Sequence, residues 1–188
     1  MSQQELLSYV VESLDRAGIG YMVTGSVVSS LQGEPRSTHD LDVVVAVDLS
    51  QVGAVVASFP RPRFYVDEEA ARAAVGSGGM FNVVDVYEGD KIDFWLLTAD
   101  AFDASRFARR QAEEVFGFRF YVSSPEDTIL QKLRWTKLSG GSKKAFTDAL
   151  RVYEVQRDRL DLSYIESWVG RLGVRDLWNR IRSEAEQP

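Results

Sequence analysis

Asp40 and Asp42 stand one residue apart at the head of the apolar run Val43, Val44, Val45, Ala46 and Val47. In a β-strand, residues two apart point to the same face. The spacing therefore predicts two carboxylates that project together, with Leu41, Val43 and Val45 on the other side. A charge taken out of water without a partner is costly, so something must satisfy this pair. A third candidate is Asp93, set between Ile92 and Phe94 in "KIDFWLL". Two carboxylates on one strand and a third on a neighbouring strand form an oxygen cage that suits Mg²⁺ or Mn²⁺. A hard ion of this kind completes its shell with water and substrate phosphates, and a pair of them can clamp the attacking and leaving oxygens of a displacement at phosphorus.

Upstream, Gly25 and Ser26 lie between an apolar stretch, "YMVT", and a short helical pattern, "GSVVSSLQG". A strand-to-helix turn offers free backbone N–H groups and the positive end of the helix dipole, both of which favour phosphate. Glycine allows close approach and a serine hydroxyl can donate to a phosphate oxygen. An ordinary turn with Ser26 as helix cap accounts for the same letters, and the acidic pair that follows tips the balance towards phosphate. Asp85, in "NVVDVY", is a rival to Asp93. Reading Gly89-Asp90 as a two-residue type II′ hairpin loop sets Glu88 opposite Lys91 and Val86 opposite Asp93. That register turns Asp85 to the face opposite Asp93 and makes it a solvated residue near a turn.

The elements that must position these groups follow from periodicity. Leu6, Leu7, Val10, Val11 and Leu14 form one stripe of an opening helix that ends at "AGIG". Strands are predicted at "YMVT", from Asp40 to Val47 and at "RFYV", with helices at 25–33, 50–59 and 67–75. The hairpin "MFNVVDVYEGDKIDFWLL" comes next, and "RFARRQAEEVFGFRFYV" suggests two further short strands. At "SSPEDTILQKLRWTKL" the texture changes: Ser124 suits an N-cap, Pro125 the first helical position, and Glu126 and Asp127 the first turn. From there helices are predicted at 125–138, 144–156, 161–171 and 174–185, with "SGGS" as a joint. The fold class is α/β (α+β), a mixed sheet flanked by helices and followed by a C-terminal helical segment. The domain boundaries are 1–123 for the core and 124–188 for the helical part.

The chain has 188 residues, a formal net charge of −6 and no cysteine. Disulfides, thiolate metal sites and cysteine nucleophiles are therefore excluded. The acidic balance argues against a surface devoted wholly to nucleic acid. No apolar run reaches the length of a membrane span and the first residues lack a secretion signal, so the expectation is a cytoplasmic protein with no membrane partner. His39, the single histidine, should point away from Asp40 and Asp42 and reads as a rim residue. Trp135, Trp168 and Trp178 read as core, and Arg106, Arg109 and Arg110 as a scattered basic face, with contact to a nucleic-acid acceptor as the alternative.

Together "TGS", "DLD" and "KID" resemble the DNA polymerase β-like nucleotidyltransferase superfamily. Its pattern is a strand, Gly-Gly or Gly-Ser opening a helix, Asp-x-Asp on the next strand and a later Asp on a further one. "PRSTHDLD", with Arg36 and Thr38, is similar to the bacterial AbiEii-type toxin and minimal nucleotidyltransferase branch. So is the Lys-then-Asp pattern of "SPEDTILQKLRW" and "KKAFTDALRVYEVQ", which falls on Lys132 and Asp148. A basic residue often precedes that Asp in the family; here it is Thr147. The resemblance implies a nucleoside triphosphate (NTP) held at Gly25 and Ser26, with Arg36, Lys132 and Asp148 also at the nucleotide. It implies Mg²⁺ or Mn²⁺ at Asp40, Asp42 and Asp93, and an acceptor hydroxyl, deprotonated with help from Asp93, that attacks the α-phosphorus. It further implies an RNA or tRNA acceptor in a toxin–antitoxin or defence setting, with an antitoxin protein as partner. The alternatives are transfer to a small molecule or protein hydroxyl, a binding module without turnover, and a metal-dependent glycosyltransferase. The short chain and the Gly-Ser turn count against the last.

Overall fold

The computed structural model describes residues 1–115 and 117–185. Phe116 and the final three residues of the expected 124–188 segment lie outside the described residues. The chain divides into two compact units, Met1–Thr24 with Thr38–Val122, and Gly25–Ser37 with the chain from Ser123 onward.

The first unit is built on a seven-stranded mixed sheet of order β3-β4-β5-β2-β1-β7-β6. Its strands are β1 (Gly20–Thr24), β2 (Asp40–Ala46), β3 (Phe64–Val66), β4 (Met80–Asp85), β5 (Lys91–Leu96), β6 (Gln111–Val115) and β7 (Phe118–Val122). β2 runs antiparallel to β1 and parallel to β5, so the strand that carries the acidic pair sits inside the sheet with both edges bonded. α1 (Gln3–Arg16) starts with a capping box between Ser2 and Glu5 and buries Leu6, Leu7, Val10, Val11 and Leu14. α3 (Val52–Ala57) and α4 (Glu68–Ser77) follow β2 and β3 in the chain. One face of the sheet is apolar: Leu41, Val43 and Val45 of β2 are buried with Ile92, Phe94 and Leu96 of β5. Phe94 lies in a ring cluster with Phe59 and Phe81, and Tyr9 of α1 stacks on Phe64. Burial on that face fixes the register, because a one-residue slip would turn the whole set outward.

The second unit is helical. α2 (Gly25–Gln32) packs with α6 (Pro125–Leu138) and α7 (Lys143–Gln156), and α8 (Leu162–Leu172) and α9 (Arg175–Ala185) complete it. Ser124 caps α6 as expected, its hydroxyl accepting from Asp127 N at 3.2 Å. The two acids of that first turn do more than favour the dipole. Glu126 accepts from Asp161 N at 2.9 Å, and Asp127 accepts the Tyr164 hydroxyl at 2.7 Å, which ties the start of α8 to α6.

Three expectations need correction. The hairpin loop spans residues 86–90 rather than Gly89-Asp90 alone, and the register pairs Asn82 with Asp93 and Val84 with Lys91. The cause is Asp85. Its carboxylate accepts from Tyr87 N at 3.1 Å and from Arg63 at 2.6 and 3.0 Å, so the chain curls there instead of extending the ladder. Asp85 does face away from Asp93, but it is 0 % exposed rather than solvated. Secondly, Ala101–Ala108 is a helix, α5, so the strands expected over 106–122 begin only at Gln111. Asp100 caps it through Phe102 N and Asp103 N, and Arg106 is buried against Asp103. The guanidinium of Arg110 lies over the rings of Phe107 and Tyr121, so this arginine group is not a free basic face. Thirdly, Trp168 and Trp178 are core, whereas Trp135 is 49 % exposed.

Candidate functional site

Within the sheet unit, the parallel pairing of β2 with β5 sets Asp42 directly beside Asp93 and Asp40 beside Lys91. Alternation along each strand then places all four side chains on one face, opposite the apolar face of Leu41 and Ile92. Asp93 is 7 % exposed, whereas Asp40 stands out at the strand end. Lys91 Nζ lies 3.0 Å from Asp93 Oδ2 and 3.9 Å from Asp40 Oδ1. Its pKa is raised by the hydrogen bond to Asp93 and, against some burial, by the fields of Asp93, Asp40 and Asp42, so it carries its full charge. The indole N–H of Trp95, two residues beyond Asp93, donates to Asp42 Oδ1 at 3.1 Å. His39 is exposed and its Nδ1 lies 3.2 Å from Asp90 Oδ1, consistent with a place on the rim.

Lys91 and Trp95 were not singled out from the sequence. The signal was available: "KIDFW" puts Lys91, Asp93 and Trp95 on one face by the same alternation that picked out Asp40 and Asp42.

The donor set fits a hard divalent ion. Asp93 Oδ1 is buried and has no hydrogen-bond partner, a costly state for an anionic oxygen in the absence of a further cation. Among the described residues, no group of three or more His, Asp or Glu side chains is gathered closely enough to hold a metal by itself.

Within the helical unit, Ser26, Arg36, Lys132 and Asp148 form one network. Gly25 opens α2 at φ 70°, a left-handed conformation that glycine adopts at little cost. Arg36 Nη2 donates to Ser26 Oγ at 2.6 Å. The same guanidinium grips Asp148 through Nε to Oδ1 and Nη2 to Oδ2, both at 2.9 Å. Lys132 Nζ donates to Asp148 Oδ2 at 2.7 Å. Burial pushes the Asp148 carboxyl up, but the hydrogen bonds and charges of Arg36 and Lys132 outweigh it and hold the group below the usual carboxylate range. Asp148 in turn raises the pKa of Arg36. A serine hydroxyl has one proton to give. With Arg36 donating into its oxygen, the Ser26 O–H is left to donate elsewhere. The Lys-and-Asp pair that the resemblance implied is thus a direct ion pair, with Arg36 as its third member.

The fold is like that of solved nucleotidyltransferases. The solution structure of the antibiotic-resistance factor ANT(2'')-Ia matches with a TM-score of 0.59 at 13 % identity, covering 100 % of this chain and 98 % of that one. An antigenic nucleotidyltransferase-like protein from Paracoccidioides brasiliensis matches with a TM-score of 0.59 at 16 % identity, over 95 % of this chain and 91 % of that one. The lincosamide antibiotic adenylyltransferase LnuA, in its lincomycin-bound structure, matches with a TM-score of 0.57 at 9 % identity, over 82 % of this chain and 98 % of that one. No protein-family model matches the sequence, and no curated protein matches it. Among the described residues, no helix is long and apolar enough to cross a membrane.

Proposed function

We propose that the chain is a divalent-metal-dependent nucleotidyltransferase that moves a nucleoside monophosphate from an NTP to an acceptor hydroxyl. The observation that carries this reading is the acidic face itself. Asp42 and Asp93 stand abreast on adjacent parallel strands with Asp40 two residues upstream, and one buried oxygen of Asp93 lacks a partner. Asp40, Asp42 and Asp93 are the ligands assigned to Mg²⁺ or Mn²⁺, which when bound supplies charge neutralisation for carboxylates and phosphates. Gly25 and Ser26 are assigned to the triphosphate, with the Ser26 hydroxyl donating to a phosphate oxygen. Arg36, Lys132 and Asp148 are assigned to the nucleotide through the network that holds Ser26.

In the transfer, the acceptor oxygen forms a bond to the α-phosphorus while the bond from that phosphorus to the bridging oxygen of pyrophosphate breaks. The acceptor's proton passes to Asp93. Catalysis of this kind is mostly positioning and charge stabilisation.

The acceptor is a separate question from the reaction. An RNA end remains one reading, in the toxin–antitoxin setting that the AbiEii-like motifs imply, with a protein antitoxin as partner. A small-molecule hydroxyl is the other. Two observations favour it: Arg106 and Arg110 are engaged within the sheet unit, and LnuA and ANT(2'')-Ia, the latter also solved in complex with adenylyl-2''-tobramycin, have this fold at comparable length.

The test is label transfer from α-³²P nucleotides with Mg²⁺ or Mn²⁺, run in parallel on bulk RNA and on hydroxyl-bearing small molecules. Asp42→Asn should reduce transfer by about 100-fold or more, as expected for loss of one charge-stabilising element. Equal transfer by wild type and variant would remove this site from the reaction. Metal-dependent nucleotide binding without transfer to either acceptor would leave a binding module.

A further inference from the structure

Lys91 is a cation placed directly among the proposed metal ligands, and the reaction described above gives it no part. Its ammonium reaches Asp93 Oδ2 at 3.0 Å and Asp40 Oδ1 at 3.9 Å, bridging β5 and β2 where the register sets Lys91 beside Asp40. It therefore stands where a divalent ion bound by the same two carboxylates would draw its oxygens. The grip is incomplete. Lys91 neutralises one oxygen of Asp93 and leaves the buried Oδ1 without a partner. The side chain is also 38 % exposed, and a lysine stem is flexible with rotatable donors, so the ammonium can swing out to water once another cation takes its place on Asp93. A residue meant only to tie the strands together would be held as Arg36 is, by a two-pronged fork on a buried carboxylate.

We infer that Lys91 is a resident counter-ion that fills one cation position of the acidic face, so that a divalent ion enters by displacing it or against its charge. This rests on the assignment of Asp40, Asp42 and Asp93 as metal ligands. Its consequence is that the site binds metal weakly until a nucleotide brings its own negative charge. Asp40, Asp42, Asp93 and Lys91 together carry a formal charge of −2, from three carboxylates and one ammonium. Removing the ammonium leaves −3 facing the same ion. A unit charge about 4 Å from a divalent ion changes its binding by at least about tenfold even under water-like screening.

The experiment is Mn²⁺ binding without nucleotide, followed by titration calorimetry and by the loss of the free-ion electron paramagnetic resonance signal. The proteins are wild type, Lys91→Gln, Lys91→Arg and Asp42→Asn, each checked by circular dichroism for an unchanged fold. At least about tenfold tighter binding by Lys91→Gln, with Lys91→Arg like wild type, supports the inference. Unchanged or weaker binding by Lys91→Gln, with binding lost in Asp42→Asn, overturns it and leaves the metal site standing. Equal binding by Asp42→Asn and wild type overturns the metal site and the inference with it. No binding by either wild type or Lys91→Gln also overturns the inference.

Discussion

Replacing Asp148 by Asn removes one charge and almost no volume, so its cost measures the electrostatics of the helical unit directly. Asp148 is 8 % exposed and takes three hydrogen bonds, two from Arg36 at 2.9 Å and one from Lys132 at 2.7 Å. Deleting one partner of a buried ion pair costs roughly 3–5 kcal/mol, because the remaining charge loses its compensation. Here the remaining charges are not fully buried: the side chains of Arg36 and Lys132 keep 27 % and 13 % of their exposure. Water therefore returns part of the loss, and the asparagine carbonyl still accepts one hydrogen bond. The expected destabilisation at neutral pH is about 2–3 kcal/mol, or a fall in Tm of roughly 5–10 °C for a chain of this size. Urea unfolding followed by tryptophan fluorescence is a suitable assay, because Trp135, Trp168 and Trp178 all belong to the helical unit.

The pH dependence gives the stricter test. Asp148 has a folded-state pKa below its unfolded value. Its contribution is thus fully present above the unfolded value of about 3.9 and is lost as pH falls through the folded one. The gap between wild type and Asp148→Asn should be widest at neutral pH and close on acidification below the usual carboxylate range. A loss under about 1 kcal/mol at neutral pH would refute the assignment of Asp148 as the compensating charge. So would a gap that stays constant into strong acid.

Two further expectations concern packing and the hairpin. Gly33→Ala should destabilise by roughly 1–3 kcal/mol in the same urea assay. A Cβ there would lie 2.9 Å from Val152 N and 3.0 Å from Arg151 C, backbone atoms of α7 that cannot give way cheaply. Gly76→Ala is the control: a Cβ there meets nothing within 4 Å inside α4, so it should be neutral or stabilising by up to about 1 kcal/mol. Asp85→Asn should cost about 2–3 kcal/mol, since Arg63 then loses its counter-ion at a fully buried position. Hydrogen exchange should show the amide of Tyr87, which Asp85 accepts, losing protection first.

Strand alternation made the acidic face legible in the sequence, because Asp40 and Asp42 share a parity that their apolar neighbours do not. The same rule reached Asp93 only because its strand was recognised; that β5 lies beside β2 is a matter of topology, not of local pattern. The hairpin failed for a reason that also lies beyond the segment. Gly89 does adopt a positive φ of 78°, as a tight turn requires, but Asp85 is captured by Arg63, 22 residues upstream, and the turn widens around it. The helix at Ala101–Ala108 was missed although Asp100 and the Asp103–Arg106 spacing are ordinary helix signals. The Arg36–Asp148 fork joins residues 112 apart and has no local signature at all.

The distribution of partners separates acids whose charge is fully answered within the fold from one whose charge is not. Asp85 and Asp148 both face arginine forks, and each takes a further donor, so their charges are answered within the fold. Their pKa values are lowered, as expected for carboxylates whose charged form is the bonded one. Asp93 is buried almost as deeply as these, yet a single flexible lysine answers one of its oxygens and nothing answers the other. Folding alone gains nothing from such an arrangement, because an unsatisfied buried oxygen costs about 1–3 kcal/mol, and more when charged. On the proposed function, a cation bound there would recover that cost and convert a defect of the isolated fold into affinity. It is this shortfall in partners, more than the acidity of the Asp-x-Asp motif, on which the proposal that Asp40, Asp42 and Asp93 form the reactive face rests.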